Sequence, residues 1–352
     1  MPSSLCVPDN TLAAGQNCIE VAVKGKWIRV PALEVSGKYI TIKGNWIKTA
    51  VIEAEEYLAT DLEDPELCLG KLREQPTDGL RADIFTFAQK LPATVPRYNY
   101  FMEWDSVAAA RTTSFKDWWE KLPQATRKNV RRSQKRDVVV TIRELDDNLI
   151  RGLVELNNEC PVRSGRPYPH YGKNFDQVKK DQESFSDRRE LIWAHVGSEL
   201  IGFLKIVYRG EIASMLHLLP KISQYDRRPA NALLAKAVEL CEAKGISYLT
   251  YGMFNYGNKQ DSPLREFKSR NGFEEILVPR YYVPLTTKGV FGLKLGLHRG
   301  LHGLLPPSVI GRIVDARAKW YKFKLGRCSS MVEPPNSNRQ KGRSNPPAGS
   351  NP

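Results

Sequence analysis

The alternation of apolar and polar residues divides the chain into a strand-rich beginning and a mixed remainder. Short β-branched or aromatic runs follow one another between residues 18 and 52, and Gly25, Gly37 and Gly44 separate them. Such runs with glycine between them are typical of strands joined by hairpins. We therefore expect a β-rich region over residues 1–113.

From residue 114 the pattern changes to helices that alternate with strands. Ser114 is a predicted N-cap for a short helix at Phe115–Trp119, and a second helix is predicted over Gln124–Arg136. This alternation predicts a mixed α/β (α+β) fold for residues 114–285. The later elements that we expect are a strand over Val138–Ile142, a helix over Asp147–Asn158, strands over Leu191–His195, Leu200–Tyr208 and Glu211–Leu219, a helix over Ala230–Lys244 and a strand over Tyr248–Met253.

The composition is that of a folded protein of one or two domains. The chain has 352 residues, of which 41% are hydrophobic and 26% are charged. No run reaches the ~18 apolar residues that a membrane-spanning helix needs, and the first ten residues do not resemble a secretory signal. The six cysteines are scattered without a Cys-x-x-Cys pair. We therefore expect a reducing, cytoplasmic location and no metal site.

The positive charge is concentrated near the C-terminus. The chain has a net charge of +14, and Thr286–Arg327 alone carries nine Lys and Arg against one Asp. Residues 286–330 are predicted to form basic amphipathic helices, and the Pro-, Asn-, Ser- and Gly-rich residues 331–352 a disordered tail. Two interpretations of the helices stay open. They bind an anionic membrane surface, at the inner face of the membrane, or they pack on the body of the protein or on a partner.

The predicted helix Gln124–Arg136 has basic residues on most of its faces. One interpretation, which we favour from the sequence, is salt bridging to the acidic segment near Glu53–Leu72. The other is contact with a substrate that carries phosphate, such as a nucleotide, a lipid carrier or tRNA.

The residues that open the predicted helix after strand Glu211–Leu219 suit a phosphate group. The first amides of a helix have no acceptor within the helix, and the helix dipole favours an anion there. The residues at this point are Arg227, Arg228, Pro229, Ala230, Asn231 and Ala232.

This segment resembles the GNAT acyltransferases, whose loop Arg/Gln-x-x-Gly-x-Gly/Ala holds the pyrophosphate of CoA. Arg227, Ala230 and Ala232 stand at the pattern positions, with alanine in place of the middle glycine, and Asn271-Gly272-Phe273 matches the end of the family core. The resemblance implies a GNAT-type mixed twisted sheet flanked by helices, with a V-shaped gap between two strands. It also implies acyl-CoA as co-substrate, acetyl-CoA first, held by Arg227, Arg228, Ala230, Asn231 and Ala232.

A second resemblance is to FemAB-like transferases and covers Ser114–Val283, about half of the chain. The basic helix followed by a valine-rich strand resembles the entry to their C-terminal half, and Phe267-Lys268 resembles a Phe-Lys pair on their late helix. Many GNAT enzymes carry a catalytic tyrosine where Lys268 stands here. The resemblance therefore implies that the Lys268 ammonium stabilises charge in the transition state, and it raises aminoacyl-tRNA as an alternative donor.

Other residues are candidates for acid–base work or for binding the acceptor. Glu211 and His217 are the titratable side chains of the predicted strand at the acyl end, and either is a candidate base acting through water. The candidates for substrate binding are His170 and Tyr171 in a long polar loop, and Asn255 and Tyr256 just past the strand Tyr248–Met253.

Together these features predict an N- or O-acyltransferase that moves an acyl group from acyl-CoA to an amine or hydroxyl. The acceptor is a small molecule, a lipid or a saccharide, and the basic C-terminus favours one from envelope or polysaccharide metabolism. Two alternatives stay open: a transferase that uses aminoacyl-tRNA, and a non-catalytic membrane-surface protein with a degenerate GNAT fold.

Overall fold

The N-terminal strands are joined by tight turns in which both residues have positive φ. The computed structural model describes residues 17–75, 79–163, 166–255 and 262–300, with isolated positions between 309 and 323. Lys24 (φ +50°) and Gly25 (φ +83°) form the first two-residue turn, and Ser36 (φ +50°) and Gly37 (φ +72°) form the second. Turns of this kind match the natural twist of paired strands. The hairpins predicted at Gly25 and Gly37 are confirmed.

Within the described residues, the strands pair into one long mixed sheet and one short side hairpin. The long sheet has the order β1-β2-β3-β4-β5-β14-β6-β13-β12-β11-β10-β7, and β8 pairs with β9. Its neighbours are antiparallel except for the parallel pairs β4–β5 and β12–β13. The strands are β1 (Asn17–Val23), β2 (Lys26–Val35), β3 (Lys38–Lys43), β4 (Thr49–Ile52), β5 (Ile84–Ala88), β6 (Phe101–Arg111), β7 (Val139–Ile142), β8 (Val162–Arg163), β9 (Arg166–Pro167), β10 (Arg189–Val196), β11 (Glu199–Arg209), β12 (Ile212–Pro220), β13 (Tyr248–Met253) and β14 (Glu274–Pro284).

Helices cover both faces of the sheet around β11. Leu204 packs with Leu233 of α6 on one face, and its neighbour Phe203 packs with Leu153 of α4 on the other, because successive strand residues point to opposite sides. The predicted mixed α/β (α+β) class is confirmed. The helices are α1 (Pro65–Arg73), α2 (Phe115–Lys121), α3 (Gln124–Lys135), α4 (Asp147–Asn158), α5 (Phe175–Glu183), α6 (Pro229–Ala243), α7 (Pro263–Arg270) and α8 (Thr287–Lys294), with 3-10 turns at Glu55–Tyr57, Ile222–Arg227 and Leu297–Arg299.

Strand β14 joins the first part of the chain to the rest. Its residues from Arg280 pair with β5, and its residues Glu274 to Tyr282 pair with β6 on the other side. Strand β6, which precedes the predicted boundary at residue 113, also pairs with β13. One sheet therefore crosses that position, and the division of the chain into domains stays a prediction.

The beginning of the predicted C-terminal helices is a short helix on the body of the protein. Thr286 caps α8, since its hydroxyl accepts a hydrogen bond from the Gly289 amide, and the same hydroxyl binds Asp83 at 2.9 Å. Most of residues 301–330 of these predicted helices and all of residues 331–352 lie outside the described residues. In the part of the chain that the structure describes, no helix is long and apolar enough to cross a membrane.

Candidate functional site

The central parallel strands β12 and β13 pair over three residues and then part. Ile212–Ser214 pairs with Tyr248–Thr250, whereas β12 continues to pair with β11 as far as Pro220. The Ser214 and Thr250 hydroxyls lie 2.9 Å apart where the pairing ends. We call the space between residues 215–220 of β12 and 251–253 of β13, which do not pair with each other, the strand gap. Its walls carry backbone groups that are not used in pairing β12 with β13.

A bulge lies in the wall that β12 contributes to the strand gap. His217 is opposite Lys205 on β11, but Met215 is opposite Ile206, so Leu216 is an extra residue. A bulge redirects backbone groups and side chains and is frequent beside active sites. Backbone amides at such a place can donate to an oxygen on which negative charge develops.

Lys268 is fastened to the other wall of the strand gap. It lies on α7 with 0% of its surface exposed. Its Nζ donates to the carbonyl oxygens of Tyr251 at 2.6 Å and Met253 at 2.7 Å. Burial lowers the pKa of Lys268 from 10.5 to about 8. The late-helix lysine therefore lies at the strand gap and holds the end of β13 in place.

Glu56 approaches the same wall from the N-terminal region, and the sequence analysis did not select it. The residue as a whole is exposed, yet desolvation around its carboxyl raises its pKa. The amide of Gly252 in β13 and the nearby Lys268 and Lys90 oppose this rise. The sequence signal was only one acid among several in a mixed segment, about 200 residues from Lys268. A carboxyl group of this kind is a candidate for proton transfer at the strand gap.

At the start of α6, the donor best placed for a phosphate is an arginine side chain, and few backbone amides are free. Arg228 has φ +59°, and its carbonyl accepts hydrogen bonds from the amides of Asn231 and Ala232. Pro229 has no amide proton, so Ala230 keeps the one amide of this first turn that has no acceptor inside the helix. The loop predicted to cradle a pyrophosphate therefore supplies fewer backbone donors than a glycine-rich loop.

The side chains at this helix start differ in how far they are already engaged. The guanidinium of Arg227 donates to Gln224 Oε1 at 2.8 Å and to the Arg136 carbonyl at 2.6 Å. Asn231 is buried and donates to Asn271 Oδ1 at 2.9 Å, and Ala232 is buried as well. These three residues shape the loop.

Arg228 is the cation at the helix start that has an unpartnered hydrogen-bond donor. Its Nε is buried and has no hydrogen-bond partner among the described residues. Desolvation and then the neighbouring charges of Arg132 and Arg136 lower its pKa, and the charge of Asp226 opposes them. We call Arg132, Arg136 and Arg228 the basic rim. Cations in such proximity favour a bound anion, since it relieves their mutual repulsion.

The basic helix α3 is packed by one face and leaves its charges in solvent. Its buried residues are Thr126, Val130 and Ser133, which recur at the helical period. In the described part of the chain, an ion pair joins Arg136 at the end of this helix to Asp226. The expected salt bridges to the acidic N-terminal segment are therefore wrong, because that segment lies elsewhere. The exposed bases of α3 are Lys128, Arg131, Arg132 and Lys135.

A pocket of about 340 Å³ lies at the end of β12, where that strand is no longer paired with β13. It is lined by His217, His170, Tyr168 and Tyr225, among others, and we call it the histidine pocket. Burial, and then the nearby His170 and Lys205, lower the pKa of His217 to about 3. His217 is therefore neutral, which suits a hydrogen-bonding residue better than a strong base.

The remaining predicted site residues are spread over the molecule. Glu211 is exposed at the closed end of the strand gap, where its carboxylate accepts from the Ser247 hydroxyl at 2.6 Å. Tyr171 is 47% exposed next to His170. Asn255 follows β13 and donates to Glu275 at 2.8 Å. The structure therefore brings His170 and His217 together, but it does not bring Glu211 to either of them.

Two predictions remain, one about Tyr256 and one about metal binding. Tyr256 lies outside the described residues. Within those residues, no group of three or more His, Cys, Asp or Glu side chains is placed to hold a metal ion.

The parting of the parallel strands β12 and β13, and the helix α6 that follows β12, are features that the resemblance to GNAT acyltransferases predicts for the sheet. Several solved structures resemble the fold of this chain. They include FemX (11% identity, 80% of this chain and 90% of that chain covered, TM-score 0.49) and L-PGS from Bacillus licheniformis (12%, 78% and 89%, TM-score 0.49). A tandem GNAT protein from the clavulanic acid biosynthesis pathway also resembles it (10%, 73% and 83%, TM-score 0.40).

The comparisons of sequence give no match. No protein-family model matches the chain, and no curated protein matches it either.

Proposed function

We propose that this chain is an acyltransferase that holds an activated acyl group in the strand gap and passes it to an amine or hydroxyl. The observation that carries the proposal is the parting of β12 from β13 after Ser214, with a bulge at Leu216 in the wall that β12 contributes. A sheet interior normally pairs its backbone groups. A gap at the centre of the sheet, with backbone donors in one wall, is suited to an extended chain that ends in a carbonyl.

The basic rim supports an acyl donor that contains adenosine phosphate. Arg228 at the start of α6 has an unpartnered Nε, and Arg132 and Arg136 lie next to it. A cleft of about 420 Å³ between α2, α3 and α6 is lined by Trp119 and Arg131. Arg131 lies over the Trp119 ring at 5.6 Å. An aromatic ring beside cations suits a nucleobase that is close to phosphate groups. CoA and the end of tRNA both carry such a nucleobase.

Charge develops on the carbonyl oxygen when the acceptor attacks the acyl group. Amides near the Leu216 bulge would donate to that oxygen, and the Lys268 ammonium would lower the energy of nearby negative charge. With a thioester donor, the acceptor nitrogen or oxygen bonds to the acyl carbon, the carbon–sulfur bond breaks and the acceptor proton goes to the sulfur. We propose acetyl-CoA as the donor to test first.

Calorimetric titration with acetyl-CoA tests the donor. The wild-type protein should bind it, and Arg228→Gln should weaken binding by about tenfold, since it removes a charge-assisted contact with phosphate. The control is Arg29→Gln, because Arg29 is exposed on β2. If neither acetyl-CoA nor free CoA binds the wild-type protein, CoA is not the donor.

A second candidate donor is aminoacyl-tRNA, and the exposed charges of α3 favour it. Lys128, Arg131, Arg132 and Lys135 continue the basic rim over a full helix, and no ion pair of the described residues engages them. Their extent suits a phosphate backbone. The apparent binding constant of tRNA should fall steeply with salt. Arg131→Gln with Arg132→Gln should reduce the log–log slope by about 1–2. An unchanged slope would contradict contact between tRNA and this helix.

We also propose that the protein works at the inner face of a membrane, on an acceptor from envelope or polysaccharide metabolism. Phe291 is 65% and Leu295 is 63% exposed on or next to α8, near the bases Lys288 and Lys294. Apolar side chains beside bases suit anionic lipid. The full chain should float with vesicles that contain phosphatidylglycerol and not with neutral vesicles. A protein that floats but lacks both donor binding and thiol release would instead be a non-catalytic membrane-surface protein.

A further inference from the structure

The loop between α4 and α5 is held firmly over the end of β12. The Gly172 amide donates to Asn158 Oδ1 at 2.6 Å, and the Tyr168 amide donates to the Pro161 carbonyl at 2.8 Å. The Tyr168 hydroxyl donates to Asn157 Oδ1 at 2.9 Å. These bonds fix the position of His170 at the mouth of the histidine pocket, with 29% of its side chain exposed.

A buried carboxylate orients the His170 ring. Asp181 Oδ2 lies 3.1 Å from His170 Nδ1, and the same oxygen also accepts from Lys173. The other oxygen of Asp181 accepts from Trp27 Nε1 at 2.9 Å. Desolvation raises the pKa of Asp181, but the hydrogen bonds from His170, Lys173 and Trp27 outweigh it and bring the pKa to about 2. The carboxylate is thus ionised and can only accept.

The proton on His170 is located by this partner. Because ionised Asp181 has no proton to donate, Nδ1 of His170 must be the donor. In the neutral ring the lone pair is then on Nε2, on the far side from Asp181. The ring centroids of His170 and His217 are 5.1 Å apart. His217 follows the bulge in the wall of the strand gap.

We propose that His170 is the general base for the acceptor and that Asp181 is its positioning residue. This inference rests on the proposed acyltransferase function. His170 Nε2 takes the proton of the acceptor amine or hydroxyl while the acceptor atom bonds to the acyl carbon. The tetrahedral intermediate then collapses with loss of the carbon–sulfur bond. The imidazolium proton passes to the leaving sulfur, so that the products are the acylated acceptor and a thiol.

Charged groups reach this site from several elements. Lys173 comes from the loop, Asp181 from α5, Lys205 from β11 and Arg163 from β8.

The test measures thiol release from acetyl-CoA with ethanolamine as acceptor. His170→Ala should lower kcat by about 10²–10⁴-fold, and acetyl-CoA should bind it as it binds the wild-type protein. Added imidazole should restore turnover, because the truncated side chain leaves a space beside an existing pocket. The control is His195→Ala, a half-buried histidine on β10 outside the pocket.

The role of Asp181 has its own readout. Asp181→Asn should lower kcat on the order of 10²-fold or more with KM little changed, since an amide can donate to Nδ1 and turn the lone pair away.

The outcomes separate this inference from the proposed function. Turnover of His170→Ala at the wild-type rate, or a loss that imidazole does not restore in a folded variant, overturns the base and leaves the transferase intact. If the wild-type protein releases no thiol and transfers no acyl group from aminoacyl-tRNA, both proposals fall.

Discussion

Lys268 is the residue whose removal most sharply tests the description of the strand gap. Lys268→Met keeps an unbranched side chain as far as the ε position and removes the ammonium with its donors. In the wild-type protein a fully buried ammonium binds the carbonyls of Tyr251 and Met253, at the end of β13 that is not paired with β12. The substitution leaves both carbonyls without this donor.

Two opposing quantities decide the stability of this variant at pH 7. An unsatisfied buried acceptor costs about 1–3 kcal/mol, so two carbonyls cost about 2–6 kcal/mol. Burial of the wild-type charge already costs about 3 kcal/mol, from the fall of the Lys268 pKa from 10.5 to about 8. Lys268→Met has no charge at this position, so this cost is absent from the variant. We therefore expect Lys268→Met to be less stable than wild type by no more than about 3 kcal/mol.

The balance changes with pH in a direction that the lowered pKa fixes. Between pH 8 and 10.5 the unfolded chain keeps the Lys268 proton and the folded chain loses it. Because the unfolded state then binds more protons, stability rises with pH across this window. The neutral amine still has protons for both carbonyls. The advantage of wild type over Lys268→Met should therefore grow by up to about 3 kcal/mol.

Urea unfolding followed by tryptophan fluorescence, repeated from pH 7 to 10.5, measures this difference. The control is Lys116→Met, on the exposed surface of α2, which should change the free energy of unfolding by less than about 0.5 kcal/mol at every pH. A difference between wild type and Lys268→Met that stays constant with pH would refute the buried, desolvated ammonium.

Two further substitutions test the packing and the capping of the fold. Gly272→Ala should lower Tm far more than Gly197→Ala. Both glycines have positive φ, but a Cβ at Gly272 would lie 2.7 Å from Trp118 Nε1, whereas Gly197 faces open space. Equal shifts in Tm would contradict this. Asp83→Asn should cost about 1–3 kcal/mol at pH 7, since the carboxylate accepts from Thr286. Burial raises the pKa of Asp83, but its hydrogen bonds outweigh this and lower it. The advantage of wild type should therefore vanish as the pH falls through the lowered pKa of Asp83, below 3.8. A difference in the free energy of unfolding that stays constant from pH 7 to below that pKa would argue against it.

The sequence predicts best where periodicity and end signals agree. The helix Asp147–Asn158 and the strand Tyr248–Met253 have the bounds that were predicted. Strand β6 was not predicted, because its middle is only partly buried and it carries acids such as Asp105, which binds Arg280 on β14 at 2.5 Å. The helix α5 was missed although its Asn174 and Gln177 form a capping box. That signal was present in the sequence.

The candidate site depends on contacts between distant segments, which the sequence does not reveal. The pairing of His170 with Asp181 needs the loop and α5 to fold back on each other, and Trp27 reaches the same carboxylate from the N-terminal hairpin. Glu56 is about 200 residues from Lys268. Arg228 could be predicted because it stands at a helix start. Its neighbours from α3 required the packing of two helices.

The insertion of β14 between β5 and β6 has a consequence for biosynthesis. Neither neighbour can complete its pairing until residue 284 has left the ribosome. At about 5–20 residues per second, the wait after Arg111 emerges is on the order of 10–30 s. During this time two sheet edges are open to other nascent chains. The yield of folded protein should therefore respond strongly to a lower growth temperature and to chaperones that shield such edges, even when the finished protein is stable.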